Sequence, residues 1–238
     1  MKTQQKKKKM SDDELNDQTE QPMSEHRLQN VWSVWEHKRD ALSGREGYGT
    51  NMTKLCTFKT VEGFWRFANR IPPPSSMFTT DTGSKKFNER EIEGISVFKE
   101  GIRPEWEDPK NMHGGELSVR RQMNIGQLDQ WWEDLLLGII GETIDPTDVI
   151  TGVRIVDKSS NKNKLSYKLE VWFECNQTNE PQTIEAIKEN ISTALNTQLK
   201  FEYKPHSDAL TVDHHATPRH GDHHPEPHRT GSSRRFNN

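Results

Sequence analysis

Apolar residues recur along this chain at two spacings, and the switches between them mark out its secondary structure. Val31-Trp32-Ser33-Val34-Trp35 and Leu55-Cys56-Thr57-Phe58 are short runs rich in β-branched and aromatic residues, which predicts strands. Thr60 then offers an N-cap for a helix in which Phe64, Phe67, Ala68 and Ile71 share one face, and Pro72-Pro73-Pro74 stops it. Further strands are predicted over Ile95–Phe98, Leu117–Arg120 and Gly152–Val156. A second helix, from about Gln127 to Ile140, turns Leu128, Trp132, Leu135 and Ile139 inward. A third, from Thr183 to Leu195, does the same with Ile184, Ile187, Ile191 and Leu195. Strands in hairpin-like succession with helices interspersed predict an α+β layer fold, an antiparallel sheet with helices on one face.

The strand with the clearest alternation is also the most informative. From Leu165 to Glu174 the odd positions Leu165, Tyr167, Leu169, Val171 and Phe173 are apolar, and the even ones are Ser166, Lys168, Glu170, Trp172 and Glu174. Trp172 is therefore expected on the wet face. There it is either a partly covered edge residue or part of a surface for a flat, negatively charged ligand.

Composition narrows the chain to one folded unit with polar ends. Only 30% of the 238 residues are hydrophobic and the mean hydropathy is −1.01, too apolar-poor for a core spread evenly along the chain. All seven Trp and eight of the nine Phe lie between Leu28 and Tyr203, so the core is concentrated there. Residues 1–26, with Lys6-Lys7-Lys8-Lys9 and an acidic, Gln- and Asn-rich stretch, read as a solvated, disordered tail. Residues 209–238 read as a second one. Its histidines, His214, His215, His220, His223, His224 and His228, are expected to have incidental metal affinity, since nothing in their setting fixes a geometry. The net charge of −3 excludes a protein that coats nucleic acid by bulk phosphate neutralisation, so any nucleic-acid contact must be local. Two cysteines cannot build a disulfide framework, the N-terminus has no signal-peptide core, and the longest apolar run, Leu135 to Ile140, is far short of a membrane span. An intracellular, reduced protein is expected.

Two aromatics outside the core pattern carry candidate chemistry. Trp106 lies in Arg103-Pro104-Glu105-Trp106-Glu107-Asp108-Pro109, a charged, proline-bounded segment that predicts an exposed loop. A Trp beside a carboxylate can stack on a base while the carboxylate accepts N–H bonds from the base edge. Tyr48, between Gly47 and Gly49, is either a second jaw or a loop-tip residue without a ligand. Two such aromatics clamping a base contribute ~1–3 kcal/mol each, more if the base is cationic. An enzyme acting on the same ligand needs carboxylates converging on a divalent metal, and the spacing of Glu105, Glu107 and Asp108 does not establish that. No enzymatic activity, metal or cofactor is expected.

Val61-Glu62-Gly63-Phe64-Trp65, the run from Phe98 through Arg103-Pro104-Glu105-Trp106-Glu107-Asp108, Gly114-Gly115, the segment from Trp132 to Glu142, and Val171-Trp172 stand in an order and spacing that form a set. With these motifs the chain resembles the eukaryotic translation initiation factor 4E family, over about residues 27–208. The resemblance implies a curved antiparallel sheet with three helices on its convex face. It also implies recognition of the 7-methylguanosine cap of mRNA and recruitment of that mRNA to the initiation machinery, by a cytoplasmic monomer. The alternative it leaves open is a cap-binding translational repressor that does not engage the scaffold factor 4G.

Carried over residue by residue, the resemblance makes Trp106 one jaw of the clamp and Glu107 the acceptor for the guanine N1 and N2 protons. By ungapped spacing to Thr60 the other jaw falls on Tyr48, where the family usually has Trp. Trp172 matches the residue at the N7 methyl group. Lys158 and Lys168 match cap-phosphate positions, Lys158 replacing the usual Arg and losing its bidentate fork. Glu116 stands where the family often has another Arg, and Arg154, sharing strand parity with Lys158, is the candidate to compensate. Val61, Trp65 and Leu137 match the surface that docks a Tyr-x-x-x-x-Leu-apolar helix of factor 4G or of repressor proteins, with Glu133 replacing an apolar residue there.

Overall fold

The computed structural model describes residues 25–39, 51–80, 83–84, 86–87, 90–159 and 164–208. Tyr48 and both predicted tails, beyond Glu25 and His26 of the first, lie outside the described residues. Within them the chain runs β1 (Arg27–Lys38), β2 (Met52–Thr60), α1 (Val61–Ala68), α2 (Pro74–Phe78), β3 (Thr79–Thr80), β4 (Gly83–Ser84), β5 (Lys86–Phe87) and β6 (Arg90–Lys99). It continues with β7 (Gly115–Arg121), α3 (Ile125–Ile140), β8 (Ile150–Asp157), β9 (Tyr167–Phe173), α4 (Pro181–Ala194) and β10 (Glu202–Pro205). A single helical turn, 206–208, follows β10.

The main sheet is antiparallel throughout, in the order β10-β7-β9-β8-β6-β1-β2, with the short β5 pairing on β6. Register shifts in the β1–β2 pairing, between Arg27 and Trp32 and between Val34 and Trp35, place extra residues in β1 and in β2 respectively and bend the sheet. The expected α+β class and the curved antiparallel sheet are therefore present. The three expected helices correspond to α1, α3 and α4, and α2 and the turn at 206–208 are added to them. Strand β10 was not foreseen, because Glu202-Tyr203-Lys204-Pro205 has no apolar alternation.

The helices cover one face because their apolar stripes have nowhere else to go. Thr60 Oγ1 accepts the Gly63 N–H at 3.0 Å and starts α1, as the sequence predicts. The helix ends at Ala68, short of the prolines; Phe64 and Phe67 are buried, Ala68 is exposed, and Ile71 reaches the core from the bend beyond. Asn124 caps α3 by accepting the Gln127 N–H at 2.8 Å. Leu128, Trp131, Trp132, Leu135 and Ile139 of α3 and Ile184, Ile187 and Ile191 of α4 join Trp32, Val34, Ile95, Val97, Val153 and Ile155 of the sheet in one large core. Cys56 and Cys175 are both free.

Candidate ligand-binding face

The face of the sheet away from the helices carries a second, much smaller apolar cluster. Phe98 of β6 and Trp172 of β9 meet edge to face at 5.4 Å, with Ile102 beside them. Gly152 of β8 makes this possible, since a Cβ there would lie 2.3 Å from the Phe98 ring. The ring occupies the space a side chain would need.

Trp106 packs on that cluster from the segment between β6 and β7. The segment is charged, yet it is held to one course by its own side chains. Asn111, fully buried, donates from Nδ2 to the carbonyls of Arg103 at 2.8 Å and Glu105 at 2.9 Å. Asp108 accepts the N–H groups of Arg103 and Lys110, each at 2.9 Å. Gly114 closes the segment by lying so near the Phe173 carbonyl oxygen that a Cβ would stand 1.8 Å from it. Trp106 is consequently half-buried, where the sequence predicts an exposed loop residue. Glu107 next to it is exposed. The Lys204 ammonium stands 4.5 Å from the centre of the Trp106 ring, a cation already over an aromatic face.

Trp172 corrects a second expectation. It lies on the even face of its strand, as alternation requires, but is 1% exposed. It sits on neither a sheet edge nor an open surface: β7 and β8 flank it, Phe98 and Trp106 cover it, and the His206 ring tilts against it at 4.5 Å. Its Nε1–H donates to Glu170 Oε2 at 3.2 Å. Alternation assigns a side chain to a face; it does not say whether distant chain covers that face. His206 Nδ1 bonds the Asn111 carbonyl at 2.8 Å, tying the C-terminal turn to the Trp106 segment. Burial, with the Lys204 charge adding to it, pushes the His206 pKa down to about 4, so the ring is neutral.

The expected cations share this face with carboxylates. Lys168 Nζ is 2.8 Å from Glu116 Oε1 and 2.9 Å from Glu170 Oε1. Arg154 Nη1 is 3.9 Å from Glu170 Oε2, and the two residues are register partners across β8 and β9. Burial acts against ionisation of Lys168 and Glu170, but the opposite charges outweigh it: Lys168 is held above its ordinary pKa and Glu170 below. Burial and the Glu170 charge push Glu116 up. Lys158, just past β8, pairs with Glu93 Oε1 at 3.2 Å. Arg120, which the sequence reading passed over, is the register partner of Lys168; it donates to Ser166 Oγ at 3.2 Å and to the Lys158 carbonyl at 3.1 Å.

On the helix side, Val61, Trp65 and Leu137 remain 38%, 41% and 40% exposed. Trp65 stands edge to face with the buried Phe64 at 5.1 Å. It lines a hollow between α1 and α3 with Trp132, Glu133 and Leu136.

The family model described as eukaryotic initiation factor 4E matches residues 27–219. This chain belongs to the initiation factor 4E family. Eukaryotic translation initiation factor 4E-2 of Schizosaccharomyces pombe is 31% identical over 186 residues, covering 77% of this chain and 68% of that protein. A solved complex of C. elegans eIF4E-3 with the 4E-binding protein Mextli and cap analog superposes with a TM-score of 0.63 at 26% identity, over 79% of this chain and 96% of that one. Ascaris suum eIF4E-3 with the m2,2,7G cap does so at 0.61 and 26%, over 76% and 92%.

As a 4E family member this chain was legible in its loop and strand motifs, but His206, Arg120, Lys204 and Asn111 of the face were not. His206 and Arg120 enter it only through pairing, β10 on β7 and β7 on β9. The one available signal for Arg120 was its parity with Glu116 and Ser118. No helix of this 4E family chain, among the described residues, is long and apolar enough to cross a membrane.

Proposed function

We propose that this chain is a translation initiation factor that binds the 7-methylguanosine cap of mRNA on the open face of its sheet and works in the cytoplasm. The observation that carries the reading is the seating of Trp106, with Glu107 beside it, over the Phe98, Ile102 and Trp172 cluster in a chain of the 4E family. N7 methylation makes the guanine cationic, so aromatic faces attract it and a carboxylate adds charge and acceptors. Trp106 stacks on the base, Glu107 accepts its N1 and N2 protons, and Trp172 lies toward the methyl group. Tyr48 is the second jaw. Lys158, Lys168 and Arg154 face the phosphates.

The Lys204 cation over Trp106 means that the base enters by displacing the ammonium from the ring. Residues 27–208 form the monomeric binding unit, between tails at 1–26 and 209–238. Val61, Trp65 and Leu137 receive a Tyr-x-x-x-x-Leu-apolar helix of factor 4G or of a 4E-binding repressor, which is supported by their standing exposed on α1 and α3.

The test is a fluorescence titration of the full chain with 7-methylguanosine triphosphate and with GTP. Saturable quenching by the methylated ligand and a much weaker response to GTP are expected. Equal responses, or none, overturn the reading.

A further inference from the structure

Two of the cations proposed to meet the phosphates, Lys168 and Arg154, are bonded to carboxylates inside the sheet before any ligand arrives. Lys168 Nζ is held between Glu116 Oε1 at 2.8 Å and Glu170 Oε1 at 2.9 Å, and Arg154 shares Glu170. Both carboxylates are thus bonded to the two cations proposed to meet the phosphates, and Lys204 stands beside Glu116 as a third positive group. Glu116, Glu170 and Arg154 are all buried, so solvent does little to screen the sum. Lys158 has Glu93 beside it. A phosphate approaching such a cluster must share or displace a bonded carboxylate, and the carboxylate repels it.

Glu116 decides the balance. Without its charge, Arg154 and Lys168 face Glu170 alone and the cluster becomes more positive by one charge. Its position is fixed by the sheet, because Glu116 is the register partner of Trp172 on one side and of Lys204 on the other. It thus stands next to the residue proposed to meet the methylated base, on the same face as the residues proposed to meet the phosphates.

We infer that Glu116 is a specificity-determining residue of this face: it neutralises Lys168, so that the chain selects its ligand by the methylated base and hardly by the phosphate chain. The inference rests on the cap-binding reading. Arg120, whose guanidinium donates to the neutral acceptors Ser166 Oγ and the Lys158 carbonyl, supplies the gain from phosphates that remains. The favoured ligand class is a 7-methylguanine base with a sparsely charged 5′ extension.

The experiment compares affinities for 7-methylguanosine and for its 5′-triphosphate, in the wild type and in Glu116→Gln, at low and at high salt. In the wild type the triphosphate is expected to bind no more than ~10-fold tighter than the nucleoside, with shallow salt dependence. Glu116→Gln should raise the preference for the triphosphate over the nucleoside by a further ~10-fold. Salt should erode that gain. A wild-type preference of 100-fold or more, or a ratio unmoved by Glu116→Gln, overturns the inference. If the variant fails to fold, the wild-type comparison decides alone. Absence of binding by either ligand to the wild type strikes the cap-binding reading instead.

Discussion

The two faces of the sheet are built by different physics. On the helix side, α1, α3 and α4 bury a continuous apolar core against Trp32, Val34, Ile95, Val97, Val153 and Ile155. Burial there is non-directional and roughly proportional to area, so many sequences with the same pattern satisfy it. On the open side a handful of rings, Phe98, Ile102, Trp172 and Trp106, sits among paired charges and a neutral histidine. Each group there has a specific partner at a specific distance, and loss of one partner leaves the other buried and unpaired. The helix side supplies stability, and the open side uses some of it to hold polar groups out of water.

The largest effect that separates the faces is expected from Leu135→Ala. Leu135 is 1% exposed in the main core, so truncation should cost ~2–5 kcal/mol in a urea unfolding experiment. Affinity for 7-methylguanosine triphosphate, measured where the variant is still folded, should not change. A loss of affinity at full folding ends the separation of roles.

Next is acid sensitivity of the open face. The His206 pKa lies near 4, below the ordinary 6.5, so between those values the unfolded chain binds more protons and stability rises with pH. As pH falls from 6.5 through 4 the fold should lose up to ~3 kcal/mol from this group. His37, bonded to Ser96 Oγ and also held well below its ordinary value, first by burial and then by the Arg154 charge, adds in the same direction. Unfolding free energies between pH 7 and 4.5 should show a flatter slope for His206→Gln than for the wild type. Equal slopes remove His206 from the account.

Trp106→Ala should cost cap-analogue binding at least one stack, ~1–3 kcal/mol, with a smaller change in stability than Leu135→Ala. Quenching titrations and urea melts of the same preparation measure both. Glu107→Gln should lower the preference for the methylated base, since one acceptor becomes a donor facing donors. The smallest change in stability is expected from Trp65→Ala, within ~1 kcal/mol because the ring is already 41% exposed. Pull-down of a Tyr-x-x-x-x-Leu-apolar peptide should nevertheless fail, and retention at wild-type level moves the partner surface elsewhere.

Local chemistry alone determined a good deal. Periodicity placed the six long strands, β1, β2 and β6 to β9, and α1, α3 and α4, because a face that must be buried leaves its period in the chain. Thr60 announced the start of α1. Tertiary structure decided the rest. β10 is a strand because β7 offers it an edge, and its own alternation does not announce it. Trp172 is covered because the 100–114 segment and the turn at 206–208 fold over it. Lys168 is neutralised because Glu116, some fifty residues earlier, comes to stand beside it across β7 and β9. A strand's sequence records which way each side chain points; which residues from other strands it meets depends on sheet order and register, and those are fixed only when the whole sheet forms.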